Sequence, residues 1–143
     1  MKKKSGQLLE LFLIKKFRGI RMKMMLIVED DDLSVDVIRR IFRNYFEIFY
    51  CDSAEEYYEK YSNNNYDIII MDISLKGTKN GLELIKEIKA SPLFTGTPIL
   101  CLTAHAQIKI RRTAIESGSD LFITKPVATK VLKESVAFLL KSK

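Results

Sequence analysis

Four acidic residues run consecutively from Glu29 to Asp32, straight after the apolar stretch MMLIV. Like charges 4 Å apart repel by about 1 kcal/mol even in bulk water, and by more at a protein surface. Three further polar residues stand at the ends of apolar runs: Asp72 after IIIM, Thr103 after ILCL, and Lys125, followed by Pro126, after LFIT. Acids from two separate runs would repel strongly if brought together, unless a divalent cation lay between them. Oxygen donors with no His or Cys among them select a hard cation, which points to Mg²⁺. A metal, a lysine and a hydroxyl around one carboxylate make a place for an incoming phosphoryl group.

Each residue also has a plainer reading. Acidic clusters commonly cap helices, and Asp31 or Asp32 is expected to cap the first one. The cluster is not an EF-hand: counted from Asp30, the glycine position is Val35 and the closing glutamate position is Ile41. Thr103 alone would be an ordinary strand-end residue, and ITKP could be a turn. Their common place in the order of elements gives them weight.

Those elements alternate. Met24–Val28, Phe46–Tyr50, Ile68–Met71, Ile99–Leu102 and Leu121–Ile123 are apolar runs of strand length, nearly continuous in the middle ones, as strands covered on both faces require. Leu33, Val37, Ile38, Ile41, Phe42 and Tyr45 recur at helical spacing between the first two. Ser53 with Glu56 forms a capping-box pattern ahead of Tyr57, Tyr58 and Tyr61. Helices are predicted over Gly81–Ala90, over Ile108–Ser117 with Gly118 at its C-terminus, and over Val127–Leu140. Five β-α repeats predict a parallel, doubly wound α/β sheet with right-handed crossovers. In such sheets ligands sit beyond the carboxyl ends of the strands, where Glu29, Asp30, Asp72, Thr103 and Lys125 all fall.

The 143 residues carry a formal charge of +6, and residues 1–21 account for all of it, with seven Lys and Arg against Glu10. The remaining residues balance at 17 basic and 17 acidic side chains, giving no basic nucleic-acid groove. Residues 1–21 are therefore read as a basic extension, disordered or helical, and residues 22–143 as the domain. Glu10, Lys15 and Lys16 interrupt any export signal, and no apolar run approaches the ~20 residues of a membrane span. Cys51 and Cys101, without a CxxC pair, are expected to be buried reduced thiols, and the expected compartment is the cytoplasm.

LIVEDD, IIIMD, LTA and ITKP, in this order, resemble the receiver domain of two-component response regulators. The resemblance covers essentially Met24 to the C-terminus. It implies a flavodoxin-like (βα)₅ fold of strand order 2-1-3-4-5, with Asp72 as phosphoacceptor. Asp30 and Asp72 would ligate Mg²⁺ together with the backbone carbonyl of Ser74, and Glu29 would act through water. Lys125, Thr103 and the backbone of Ala104 would bind the phosphoryl group. Thr103 would swing toward that group and Phe122 would turn inward behind it. The Lys125–Pro126 peptide would be cis. His105 and Ser74 would tune kinetics, His105 either as an exposed helix-start residue or by orienting the water that hydrolyses the phosphoaspartate. The loop ISLKGTKNG departs from the commoner family pattern, being one residue longer and lacking its proline.

The function so implied is transfer from a phosphohistidine, on a sensor histidine kinase or phosphotransfer domain, to Asp72. The switched surface would be the face of the fourth helix, fifth strand and fifth helix, including Lys109, Arg111 and Arg112, meeting an output protein or a second copy of the chain. No DNA-binding domain is expected in this chain, and no dedicated enzyme activity beyond self-dephosphorylation. One alternative is a receiver-like interaction module that is never phosphorylated. The other, a Mg²⁺-dependent phosphohydrolase, would need an acid where Ser74 stands.

Overall fold

A computed structural model describes residues 22–105 and 107–141. The basic extension read over residues 1–21 lies outside the described residues. The strands are β1 (Lys23–Val28), β2 (Phe46–Cys51), β3 (Ile68–Met71), β4 (Ile99–Thr103) and β5 (Leu121–Thr124). They form one parallel sheet in the order β2-β1-β3-β4-β5, the doubly wound, flavodoxin-like arrangement.

Burial explains the apolar runs. β3 and β4 are buried along their whole length, as is β1 from Met25 to Val28, because helices cover both faces. β2 and β5 are edges and are only partly covered. On one face, α1 (Asp32–Phe42) and α5 (Thr129–Lys141) bury Val35, Ile38, Phe42, Leu132 and Val136 against the odd-numbered residues of β1 and the even-numbered ones of β3. On the other, α2 (Ala54–Glu56, continued by a π-type turn at Tyr57–Tyr61) and α3 (Gly81–Ala90) bury Tyr57, Leu84, Ile85 and Ile88. A third, smaller cluster joins α4 (Ile108–Ser117) to the sheet through Ala114, Cys101, Ile73 and Phe122.

The helix boundaries follow their caps. Asp31 caps α1, its side chain accepting from Ser34 N–H. Ser53 accepts from Glu56 N–H as the pattern predicts, but the Glu56 carboxylate reaches one residue further back, to Asp52 N–H. The reciprocal capping box is formed instead by Asn80 and Glu83 at the start of α3. Gly118 takes φ 108° at the end of α4 and donates back to Ala114 and Ile115 carbonyls. α5 opens at Thr129, two residues later than expected, and Val127 packs on the core beneath it. Cys51 and Cys101 are buried free thiols, each pushed up to about 12 by burial.

Candidate functional site

Three carboxylates meet at the carboxyl rim of the sheet. Ligand oxygens of Glu29, Asp30 and Asp72 lie within 4.8 Å of one another. Backbone pairing places them: Glu29 N–H donates to Cys51 carbonyl on one side, and Asp72 N–H to Val28 carbonyl on the other. Of the four consecutive acids, only the first two join Asp72. Asp31 turns its carboxylate onto Ser34, whose hydroxyl and N–H hold it below the usual carboxylate range. Asp32 is the exposed first residue of α1.

Asp72 is buried and oriented. Its Oδ1 accepts from Ile73 N–H at 2.8 Å, leaving Oδ2 to face Lys125 Nζ at 3.8 Å. Lys125 pairs more closely with Glu29 Oε1, and donates also to Ser34 Oγ at 3.2 Å. Glu29, almost wholly buried, has its carboxyl raised to about 7. Burial is the largest cause, and the neighbouring Asp72 carboxyl comes second. Lys125 works in the opposite direction. Three acids crowded at one buried rim, all with hard oxygen donors, are what a small divalent cation would relieve.

The remaining sequence-predicted residues lie on β4, β5 and the loops that leave β3, β4 and β5. Thr103 is fully buried at the end of β4; its hydroxyl accepts from His105 N–H at 3.3 Å, and its carbonyl accepts from Lys125 N–H. Ala104 follows it, exposed. The Lys125–Pro126 peptide is cis. Phe122 lies on the inner side of β5, buried, with the Arg111 guanidinium 5.7 Å from its ring centre. His105 is exposed and precedes α4 by three residues, and its Nε2 meets Ser74 Oγ at 2.7 Å across the mouth of the site.

Two features escaped the sequence. Ser34 contacts both Asp31 and Lys125, and only its spacing as the third residue after a helix cap hinted at half of that. Gly81 is the second: an added Cβ there would lie 1.9 Å from Asp72 carbonyl oxygen. Its N–H donates to Ile73 carbonyl at 2.7 Å, so α3 begins pressed against the backbone of Asp72.

Beside the acids, between α1 and α5, lies an apolar cavity of about 330 Å³. Leu33, Val37, Ile41, Val127 and Leu132 line it, and Lys125 also stands in its wall. Leu33 is 75% and Val37 56% exposed, an apolar ridge one turn apart on α1.

Comparison with known proteins gives a consistent picture. Residues 25–137 match the family model of the response regulator receiver domain. The chain is 33% identical over 118 residues to the regulatory protein VanRB of Enterococcus faecalis, covering 82% of this chain and 52% of that protein. It spans between about a third and a half of the length of the curated relatives it matches. A response-regulator structure from Chloroflexus aurantiacus superposes with TM-score 0.78 at 30% identity, over 85% of this chain and 99% of that one. The receiver domain of the sensor histidine kinase PA1611 from Pseudomonas aeruginosa, solved with a magnesium ion coordinated in its active-site cleft, superposes with TM-score 0.76. It shares 23% identity, over 85% and 99% of the two chains, a likeness of fold.

Proposed function

Because the chain belongs to the response regulator receiver domain family, we propose that it accepts a phosphoryl group on Asp72 from a phosphohistidine of a sensor kinase or phosphotransfer domain. The arrangement of Asp72 carries this reading: one oxygen tied to Ile73 N–H, the other turned to Lys125, with two further acids within cation-bridging distance. Oδ2 attacks phosphorus, the new O–P bond forms as the N–P bond breaks, and the electron pair of that bond stays with the departing imidazole. The proton on the other ring nitrogen lets the imidazole leave neutral.

Asp30, Asp72 and the carbonyl of Ser74 would hold Mg²⁺ directly and Glu29 through water. The ion, when bound, offsets negative charge on the carboxylates and the transferring group. Lys125 exchanges its Glu29 partner for phosphoryl oxygens, while Thr103 Oγ and the backbone N–H of Ala104 supply further donors. Loss of the His105 N–H contact frees Thr103 to make that bond. Phe122 occupies the space behind it under Arg111, so the face of α4, β5 and α5 reports the change to an output protein or a second copy. His105 and Ser74, joined across the mouth, set how readily water reaches the acyl phosphate.

The apolar cavity beside Lys125 suits the donor. A partner helix seated on Leu33 and Val37 would bring its imidazole toward Lys125, whose ammonium lies 3.8 Å from Asp72. Such chemistry belongs to the cytoplasm, and among the described residues no helix is long and apolar enough to cross a membrane.

The test is intact mass after incubation with a small phosphodonor and Mg²⁺. The parent should gain one phosphate and Asp72→Asn none. Equal gain by both would place the acceptor elsewhere, and no gain by either would favour an unphosphorylated interaction module.

A further inference from the structure

The loop after Asp72 is fastened to a part of the molecule that takes no part in the chemistry. Lys76 forms a parallel bridge with Ser53, its N–H donates to Asp52 carbonyl at 3.1 Å, and its ammonium lies 3.3 Å from the Asp52 carboxylate. Two residues on, Thr78 donates both its N–H and its hydroxyl to Glu55 Oε2, each at 3.1 Å. Between them Gly77, at φ 87°, passes so close beneath Glu55 that an added Cβ would lie 2.3 Å from Oε1. The Thr78 N–H is the main cause holding the Glu55 carboxyl below its ordinary range.

Topology makes this fastening relevant to the acids. β1 lies between β2 and β3 in the sheet. The bridge joins the connection leaving β2 to the loop leaving β3, the two strands that flank β1, whose carboxyl end carries Glu29 and Asp30. Ser74, two residues past Asp72, lies in that loop. Ser74 is exposed and lies outside every strand and helix, its hydroxyl meeting His105.

We propose that Glu55 is a positioning residue for the cation site: by clasping Thr78 over Gly77, it fixes the loop that carries Ser74. This rests on the functional reading above. A backbone carbonyl contributes to metal affinity only if its orientation is settled before the ion arrives; otherwise ordering the loop is subtracted from binding. Groups bonded directly to a metal's ligands commonly change affinity by about 10–100-fold. Glu55, bonded to Thr78 four residues beyond Ser74, should act at the low end of that range.

The experiment is an amide-resolved NMR titration with Mg²⁺ of the parent, Glu55→Ala, Glu55→Gln and Thr78→Val, with thermal unfolding of each in parallel. Glu55→Ala should weaken Mg²⁺ binding about tenfold. Glu55→Gln should stay within about threefold of the parent, because the amide oxygen still accepts from Thr78. Thr78→Val, which keeps the N–H donor but loses the hydroxyl, should fall between them. Mg²⁺ affinity in Glu55→Ala within twofold of the parent, whatever its melting temperature, overturns the assignment of Glu55 and leaves the functional reading standing. Failure of the parent to bind Mg²⁺ overturns both.

Discussion

Replacing Gly81 by alanine adds one methyl group at the first residue of α3, where the loop after Asp72 ends. That methyl would lie 1.9 Å from the carbonyl oxygen of Asp72, 2.8 Å from its carbonyl carbon and 3.0 Å from Ile73 Cα, all backbone atoms. Real Cβ contacts essentially never fall below 3.0 Å, so the two backbones must part by about 1.1 Å. No side chain can absorb this by changing rotamer. Moving α3 away strains Leu84, Ile85 and Ile88 in the core, and moving the β3 end displaces Asp72 itself. Overpacking of this kind costs about 3 kcal/mol. For a domain of this size that is a fall of about 10 °C in melting temperature. A misplacement near 1 Å at a reacting group lowers rate on the order of a hundredfold. Urea unfolding, with the rate of phosphorylation by a small donor followed by intact mass, reads both effects. Parent-like stability together with a parent-like rate would refute the claim that α3 is seated on the acceptor backbone.

Other outcomes follow from the same geometry. Glu29 holds a proton up to about pH 7, well above the ordinary glutamate value, so without metal its contribution to stability falls as pH rises from about 4.5 to 7. Mg²⁺ must displace that proton, so its affinity should rise with pH up to about 7 and level off above; a flat titration between pH 6 and 8 would contradict this. Lys125→Met removes the cation nearest Glu29 and Asp72. It should slow phosphorylation by at least tenfold while leaving the protein folded, read by mass spectrometry and circular dichroism. Leu33→Asp with Val37→Asp should weaken phosphotransfer from a phosphohistidine protein at least tenfold and leave the rate with a small phosphodonor within twofold. Gly77→Ala meets both a positive φ and the Glu55 carboxylate, and should lower stability by about 1–2 kcal/mol in urea unfolding.

The alternation of apolar strands and amphipathic helices determined the doubly wound sheet, because residues buried on both faces leave a continuous signature. The polar residues closing those runs, Asp72, Thr103 and Lys125, likewise announced the rim at which they stand, since strand direction alone fixes that. Helix edges were legible where a short polar side chain caps them, as at Asp31, and less so at α5, where Val127 serves the core before the helix opens. In EDDD the sequence reading assigned Glu29 and Asp30 to the site and left the helix cap between Asp31 and Asp32, a choice that Ser34 settles for Asp31. Which carboxylate turns inward depends on backbone pairing across strands far apart in the chain, and that pairing gives Glu29 and Asp30 to the site and Asp31 to the helix. Sequence could not show that Lys125 rests on Glu29 and Ser34, that His105 reaches Ser74, or that Glu55 clasps the loop after Asp72. Those contacts join residues 23 to 96 positions apart. Such separations carry no periodicity, and only folding brings the partners within hydrogen-bond reach.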